Sequence, residues 1–358
     1  MSRRPTLLLA LALLWALPLD LHAAEVGEAD YARTATALTD AVALPAVVAF
    51  GAASADFAQE MAGFCATSDG DPAAVQAGFL GLMEAWQHVQ PLDFGPLRQD
   101  AGPARFQYWP DRRGTGGRQL AQVLASRDPS VTTAASLADK SVALGDLQAL
   151  ERLLFDDAAE GTLDPFRCAY ASAIATLQAE RAATLVQDWE VQAEALRTAS
   201  TGNELYYDAA EAARDYLGAL THGLQFAVQT RLQPVLGDDP ATARPHAAES
   251  WRSGHSARNI AANLGTLEAL IAAPGGFGDL AAAARDPLIG RTLQAMLEAA
   301  RERLLALPLP LAAAAQDQDA RAELAAIADL LDRAHRLAEH TLAPTLGLTA
   351  GFNASDGD

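Results

Sequence analysis

The sequence SVALGDLQALERLLF, Ser141 to Phe155, predicts a helix, because it lacks proline and its single glycine lies near its start. At about 100° per residue, Glu151 falls inside a broad apolar arc and Gln148 lies at the edge of that arc. The arc is formed by Ala143, Leu144, Leu147, Leu150, Leu154 and Phe155. A carboxylate in a packed core is costly unless it is paired, hydrogen-bonded or bound to a metal. We therefore expect Glu151 to have a specific partner.

Composition predicts an all-α protein, since Ala and Leu dominate and long β-branched runs are scarce. We expect about four main helices on each side of a small polar break at residues 199 to 203. Two of these predicted helices cover residues 130 to 158 and 246 to 272. The helix count fits two up-and-down helical bundles in tandem, with residues 24–199 in the first and 200–358 in the second.

The first 23 residues have the pattern of a secretory signal peptide. Arg3 and Arg4 precede an apolar stretch, and small residues before Ala24 offer a cleavage site. We expect no later apolar run to be long enough to cross a bilayer. The formal net charge of −19 argues against binding to nucleic acid or to anionic membranes. The prediction is an exported protein of the periplasm or cell envelope.

The least helical segment, residues 90 to 117, is rich in proline and glycine and includes most of ARFQYWPDRRGTGGRQL, residues 104 to 120. A loop of this length is usually functional or disordered, and its aromatic cluster argues against disorder. It offers Trp109, Asp111 and Arg112 as candidate ligand-binding residues. The alternative is a loop that packs its rings over the end of a bundle and pairs its arginines with surface acids.

The only two cysteines, Cys65 and Cys168, are expected to form a disulfide in an oxidising compartment. In the second half, Trp251 and Arg252 supply stacking and hydrogen-bonding groups that could line a pocket. They could equally pack between helices.

Histidine patterns give little support to a metal site. A His-x-x-Glu pair on a helix is a common arrangement in carboxylate-rich metal bundles, but here Gln148 precedes Glu151 at that spacing. The literal pair His246 and Glu249 follows Pro245, where we expect helix capping rather than metal binding. The spacing of the remaining histidines excludes the zincin motif.

Six stretches of the sequence resemble the imelysin family of iron-regulated bacterial envelope proteins. They are residues 81–97, 104–120, 142–155, 203–217, 248–264 and 351–358, and they include VALGDLQALERLLF and AESWRSGHSARNIAANL. The resemblance implies two helical bundles with a pocket where they meet, and a role in iron acquisition through iron, haem or another ligand. The family motif is GxHxxE. Here Asp146 stands at its Gly position, Gln148 at its His position and Glu151 at its Glu position.

We therefore predict a non-catalytic ligand-binding or accessory component of bacterial iron uptake, with an envelope iron-uptake protein or a small ligand as its partner. A metal-dependent peptidase of the imelysin type is the alternative. Glu151 is the best candidate metal ligand, and Arg112 or Arg113 is its expected charge partner. The predicted ligand-binding residues are Glu151, Gln148, Trp109, Asp111, Arg112, Trp251 and Arg252.

Overall fold

The computed structural model describes residues 26–67, 70–156 and 163–348, and in these ranges the chain is helical with no strand. The predicted signal peptide and the matching stretch at residues 351–358 lie outside them. The helices are α1 Glu28–Leu38, α2 Leu44–Ala66, α3 Pro72–Val89, α4 Thr115–Ser126, α5 Ala134–Ala138, α6 Leu147–Phe155, α7 Pro165–Arg197, α8 Ala209–Gln225, α9 Gln233–Leu236, α10 Ser256–Ala272, α11 Phe277–Ala283, α12 Pro287–Leu305, α13 Leu311–Ala314, α14 Gln318–Leu337 and α15 Ala343–Thr345.

Several helices begin at an Asp-Pro pair. The Asp71 carboxylate accepts a hydrogen bond from the Ala73 backbone N–H at 2.9 Å, and Asp164 caps α7 through two backbone N–H groups. Aspartate satisfies N–H groups that lack intrahelical partners, and proline at the first helical position has no N–H to satisfy. These caps fix where the long helices start.

The first helical segment contains a π-helical turn near Pro45. A π-helical turn, Thr39–Ala43, joins α1 to α2 and ends two residues before Pro45. Proline lacks the N–H needed for the regular ladder, and a π turn accommodates such an interruption. As a result α1 packs mainly on α8, whereas α2 packs on α3 and α7.

Two groups of packed helices form the fold. In the first, α2 and α7 pack along their length and α3 and α6 complete the group; in the second, α10, α12, α14 and α8 pack in succession. The contact of α3 with α10 joins the two groups. This architecture confirms the predicted all-α fold of helical bundles, while a domain boundary near residue 200 stays a prediction.

The predicted disulfide is present between Cys65 and Cys168, whose Cα atoms lie 5.6 Å apart. It joins the end of α2 to the start of α7, and the two cysteines are separated by 103 positions in the sequence. A bridge closing a loop of about this size contributes about 4–5 kcal/mol in the chain-entropy account.

Two predicted helices are wrong in extent. The helix expected over residues 130 to 158 is interrupted, because Asp146 adopts an extended backbone and its side chain caps α6 by accepting from the Ala149 N–H. The helix expected from residue 246 begins only at Ser256. Before it, Ser250 and Gly254 have φ values of 49° and 70°, which a continuous right-handed helix cannot contain.

Two helical stretches, Glu28–Ala66 and Ser256–Ala283, are long and apolar enough to cross a bilayer by length and composition alone. On that criterion the expectation that no later run is long enough is wrong. Core helices of globular proteins pass the same test, and both stretches pack against other helices in this fold. The described residues therefore give only weak support to a membrane span.

Candidate functional site

The start of α6 is tied to the loop of residues 90–117 by backbone hydrogen bonds. Asp146 is fully buried, and its carboxylate accepts from the N–H groups of Tyr108 at 2.6 Å and Ala149 at 2.9 Å. The Leu147 N–H donates to the Phe106 carbonyl at 2.8 Å. Burial raises the pKa of Asp146 to about 7, although the backbone N–H groups act in the opposite direction.

Glu151 is completely buried, as the helical periodicity predicts. Its Oε1 accepts from the Ser253 backbone N–H at 3.0 Å and from the Ser253 hydroxyl at 2.8 Å. Its partner is therefore Ser253, and the expectation of Arg112 or Arg113 is wrong. Burial raises the pKa of Glu151; the bonds from Ser253 and the charge of Arg252 lower it. Glu151 thus anchors the segment before α10 to α6.

Arg252 and Trp251 lie on that anchored segment. The Arg252 guanidinium carbon lies 4.2 Å from the centre of the Trp251 ring, and Arg252 also pairs with Asp156 at the end of α6. The ring of His246 also stacks on Trp251, with centroids 4.2 Å apart. Arg152 joins the same acid, with its Nε 3.2 Å from Asp156 Oδ2.

The loop contributes Trp109, Asp111 and Arg112. Asp111 caps α4, since its two carboxylate oxygens accept from the Thr115 N–H at 2.8 Å and the Gly117 N–H at 3.2 Å. Trp109 lies edge-on to Phe226, with ring centroids 6.1 Å apart. Gln148 lies on the first turn of α6, and its Nε2 is buried without a hydrogen-bond partner in the described chain.

These groups surround a cavity of about 1070 Å³ between the loop, the first turns of α4 and α6, and the segment before α10. Six of the seven predicted ligand-binding residues line it, namely Gln148, Trp109, Asp111, Arg112, Trp251 and Arg252. Glu151 does not; it lies behind the wall, bonded to Ser253. Sequence reasoning missed Arg152, Arg244 and His246, which also line the cavity.

A buried polar cluster lies beside the cavity and was also missed. The guanidinium of Arg231, 1% exposed, lies 3.1 Å from the carboxylate of Glu249, 2% exposed. Arg231 also donates to Gln87 at 2.5 Å and to Gln90 at 2.6 Å. The cluster therefore joins α3 to the segment before α10. Glu249 is not the capping acid that its position after Pro245 predicted.

The donor groups of the described residues bear on metal binding. Among the described residues, no group of three or more His, Cys, Asp or Glu side chains is arranged to hold a metal ion. At the GxHxxE position, Gln148 offers a weak neutral donor, and Ser253 already occupies one oxygen of Glu151. The residues at this position do not fit a metal centre.

Comparison with known protein families identifies the family of this chain. The family model described as Imelysin, which is labelled a peptidase family, matches residues 43–337. The chain belongs to the imelysin family. No curated protein gives a significant match.

Two solved structures have the same fold. An imelysin-like protein from Psychrobacter arcticum 273-4 has a TM-score of 0.77 and 21% identity, over 92% of this chain and 99% of that one. A protein assigned as an iron-regulated protein A precursor from Parabacteroides distasonis ATCC 8503 has a TM-score of 0.73 and 15% identity, over 88% and 95%. At these identities the similarity establishes the fold.

Proposed function

We propose that this imelysin-family protein is an exported, non-catalytic ligand-binding or accessory component of bacterial iron uptake. The family and the iron-regulated name of one structural relative support the link to iron. The signal-like pattern of residues 1–23 supports export to the periplasm or cell envelope.

The observation that carries the proposal is the cavity between the loop, α6 and the segment before α10. Its walls come from both halves of the sequence, so a ligand held there contacts α6 and the segment before α10. Ligand sites are typically concave and mostly apolar, with a few convergent polar groups, and they often lie where structural units meet. Trp109 and Trp251 with the surrounding arginines match that description.

The residues at the family motif support binding rather than catalysis. A peptidase of the metal-dependent type needs a metal that activates water, and the position of the motif histidine holds Gln148. Glu151, the motif acid, is held by Ser253 behind the cavity wall. The peptidase label of the family keeps that activity as the competing hypothesis.

Growth of a deletion strain and ligand binding by the purified protein test the proposal. Deletion of the gene should slow growth under iron limitation, and a Trp251→Ala variant should restore growth less well than the wild type. Tyr207→Ala is the matched control, because Tyr207 is 89% exposed and does not line the cavity. Equal restoration by both variants would count against the cavity as the site.

Purified mature protein should bind iron, haem or an iron-containing ligand and should not cleave peptides. Cleavage that is lost with a chelator and in Glu151→Gln would establish the peptidase instead. The Gln variant is preferred to Glu151→Ala because it keeps the volume and can still accept from Ser253.

A further inference from the structure

The charged side chains that line the cavity are mostly positive, whereas the whole chain is acidic. The formal net charge of the protein is −19, yet four arginines line this cavity, Arg112, Arg152, Arg244 and Arg252. Among the described residues, two carboxylates share the lining, Asp111 and Asp146. Such a concentration of positive charge in a concave site raises the local concentration of anions.

The acceptor groups of the cavity are already engaged by the protein. Both oxygens of Asp111 accept from backbone N–H groups at the start of α4. Both oxygens of Asp146 accept from Tyr108 and Ala149. These acids therefore cap helices and hold the loop, and they offer little to a cation in the cavity.

The donor groups are largely unused. Within the described residues, the side chains of Arg112 and Arg244 have no hydrogen bond or ion pair. In the described ranges, Arg152 and Arg252 each use Nε alone, both toward Asp156, so their terminal nitrogens have no partner there. Gln148 adds a buried Nε2 that lacks a partner in the part of the chain described. Guanidinium groups pair with carboxylates through two parallel hydrogen bonds, and this arrangement gives strength and direction.

The size and the lining residues of the cavity favour an organic molecule over a single inorganic ion as the ligand. A volume of about 1070 Å³ is at the upper end for small-molecule sites. Trp109, Trp251 and His246 supply flat surfaces on which a carbon frame can rest. A bare cation would meet four guanidinium groups and, among the residues that the structure describes, no cluster of acids arranged to hold it.

We propose that the cavity binds an organic anion with two or more carboxylate groups, either as the free acid or as its ferric complex. This inference rests on the proposed function and narrows it to a ligand class. The arginines at the mouth, Arg112 and Arg244, bind the carboxylates, and Arg152 and Arg252 bind those that lie deeper.

Calorimetry on the full mature chain tests this with four probes: citrate, ferric citrate, benzene-1,3,5-tricarboxylate and the neutral triethyl citrate. We expect at least one tricarboxylate to bind more than a hundredfold more tightly than triethyl citrate, with affinity that falls as salt is raised. Comparison of citrate with ferric citrate separates the free acid from the iron complex.

Variants locate the site. Arg112→Gln and Arg244→Gln should each weaken tricarboxylate binding by about tenfold or more, since each removes a charge-assisted hydrogen bond. Both residues are exposed, so the fold should tolerate the changes. Arg113→Gln is the matched control, because Arg113 is adjacent and exposed but does not line the cavity; it should change the affinity less than twofold.

Four results would overturn the inference. Equal affinity for triethyl citrate would show that charge is irrelevant, and unchanged affinity in both arginine variants would place the anion elsewhere. Binding of haem without binding of any tricarboxylate would refute this ligand class and leave the proposed function standing. Failure of iron, haem and all four probes to bind would refute both.

Discussion

Removal of one partner from the buried Arg231–Glu249 pair should destabilise the protein strongly. The two charged groups lie 3.1 Å apart and are 1% and 2% exposed. At an effective dielectric constant of about 20, their attraction is roughly 5 kcal/mol. Arg231→Met leaves Glu249 buried without its countercharge and also removes bonds to Gln87 and Gln90. We expect the free energy of unfolding to fall by about 3–5 kcal/mol.

Urea unfolding followed by circular dichroism measures this loss. A cycle with Glu249→Gln should show coupling, because the double variant leaves no unpaired charge; its cost should be less than the sum of the single costs by about 1.5–3 kcal/mol. Arg303→Met is the control, since its pair with Glu323 is largely exposed, and it should cost less than about 1 kcal/mol. Additive single costs, or a loss as small as that of the control, would refute the reasoning.

Three further results are expected. Burial raises the pKa of Asp146 from 3.8 to about 7. The free energy of unfolding should therefore fall as the pH rises from about 4 to 7, by at most about 4 kcal/mol from this group. Asp146→Asn should remove this pH dependence in urea titrations at several pH values. A steeper decline in the variant would contradict this. Reduction of the disulfide should lower the free energy of unfolding by about 4–5 kcal/mol, and an unchanged urea midpoint would argue that the bridge is not formed in solution. In Gly117→Ala the new Cβ would lie 2.8 Å from Arg152 Nη1 and should displace that guanidinium, weakening tricarboxylate binding several-fold. Gly81→Ala, whose Cβ would meet nothing within 4 Å, should leave the affinity unchanged.

Local patterns predicted much of the fold. The period of α6 places Glu151 in the core, and the Asp-Pro pairs mark the starts of α3 and α7, because these properties depend on neighbouring residues. The interruption at Asp146 was missed. Its side chain competes with the helix by capping the next one, and a wheel diagram does not include that competition.

The candidate site was predicted less well, because its key contacts join distant parts of the chain. Ser253 lies 102 positions from Glu151, and only the turn before α10 brings it there. That turn was predicted as helix, since the positive φ of Ser250 has no local signal. Arg231 could have been noticed as the only Asp, Glu, Lys or Arg between Asp215 and Asp238, but its partner Glu249 required the fold.

The most direct test of the cavity as a ligand site is native mass spectrometry of the protein, purified without denaturation from iron-starved cells. The wild type is compared with a triple variant, Arg112→Gln, Arg244→Gln and Arg252→Gln. The account predicts that the wild type carries a small polycarboxylate, with or without iron, and that the variant is folded and empty. The account would be contradicted if the same ligand co-purified with both proteins. It would also be contradicted if the wild type were purified from these cells without a bound ligand.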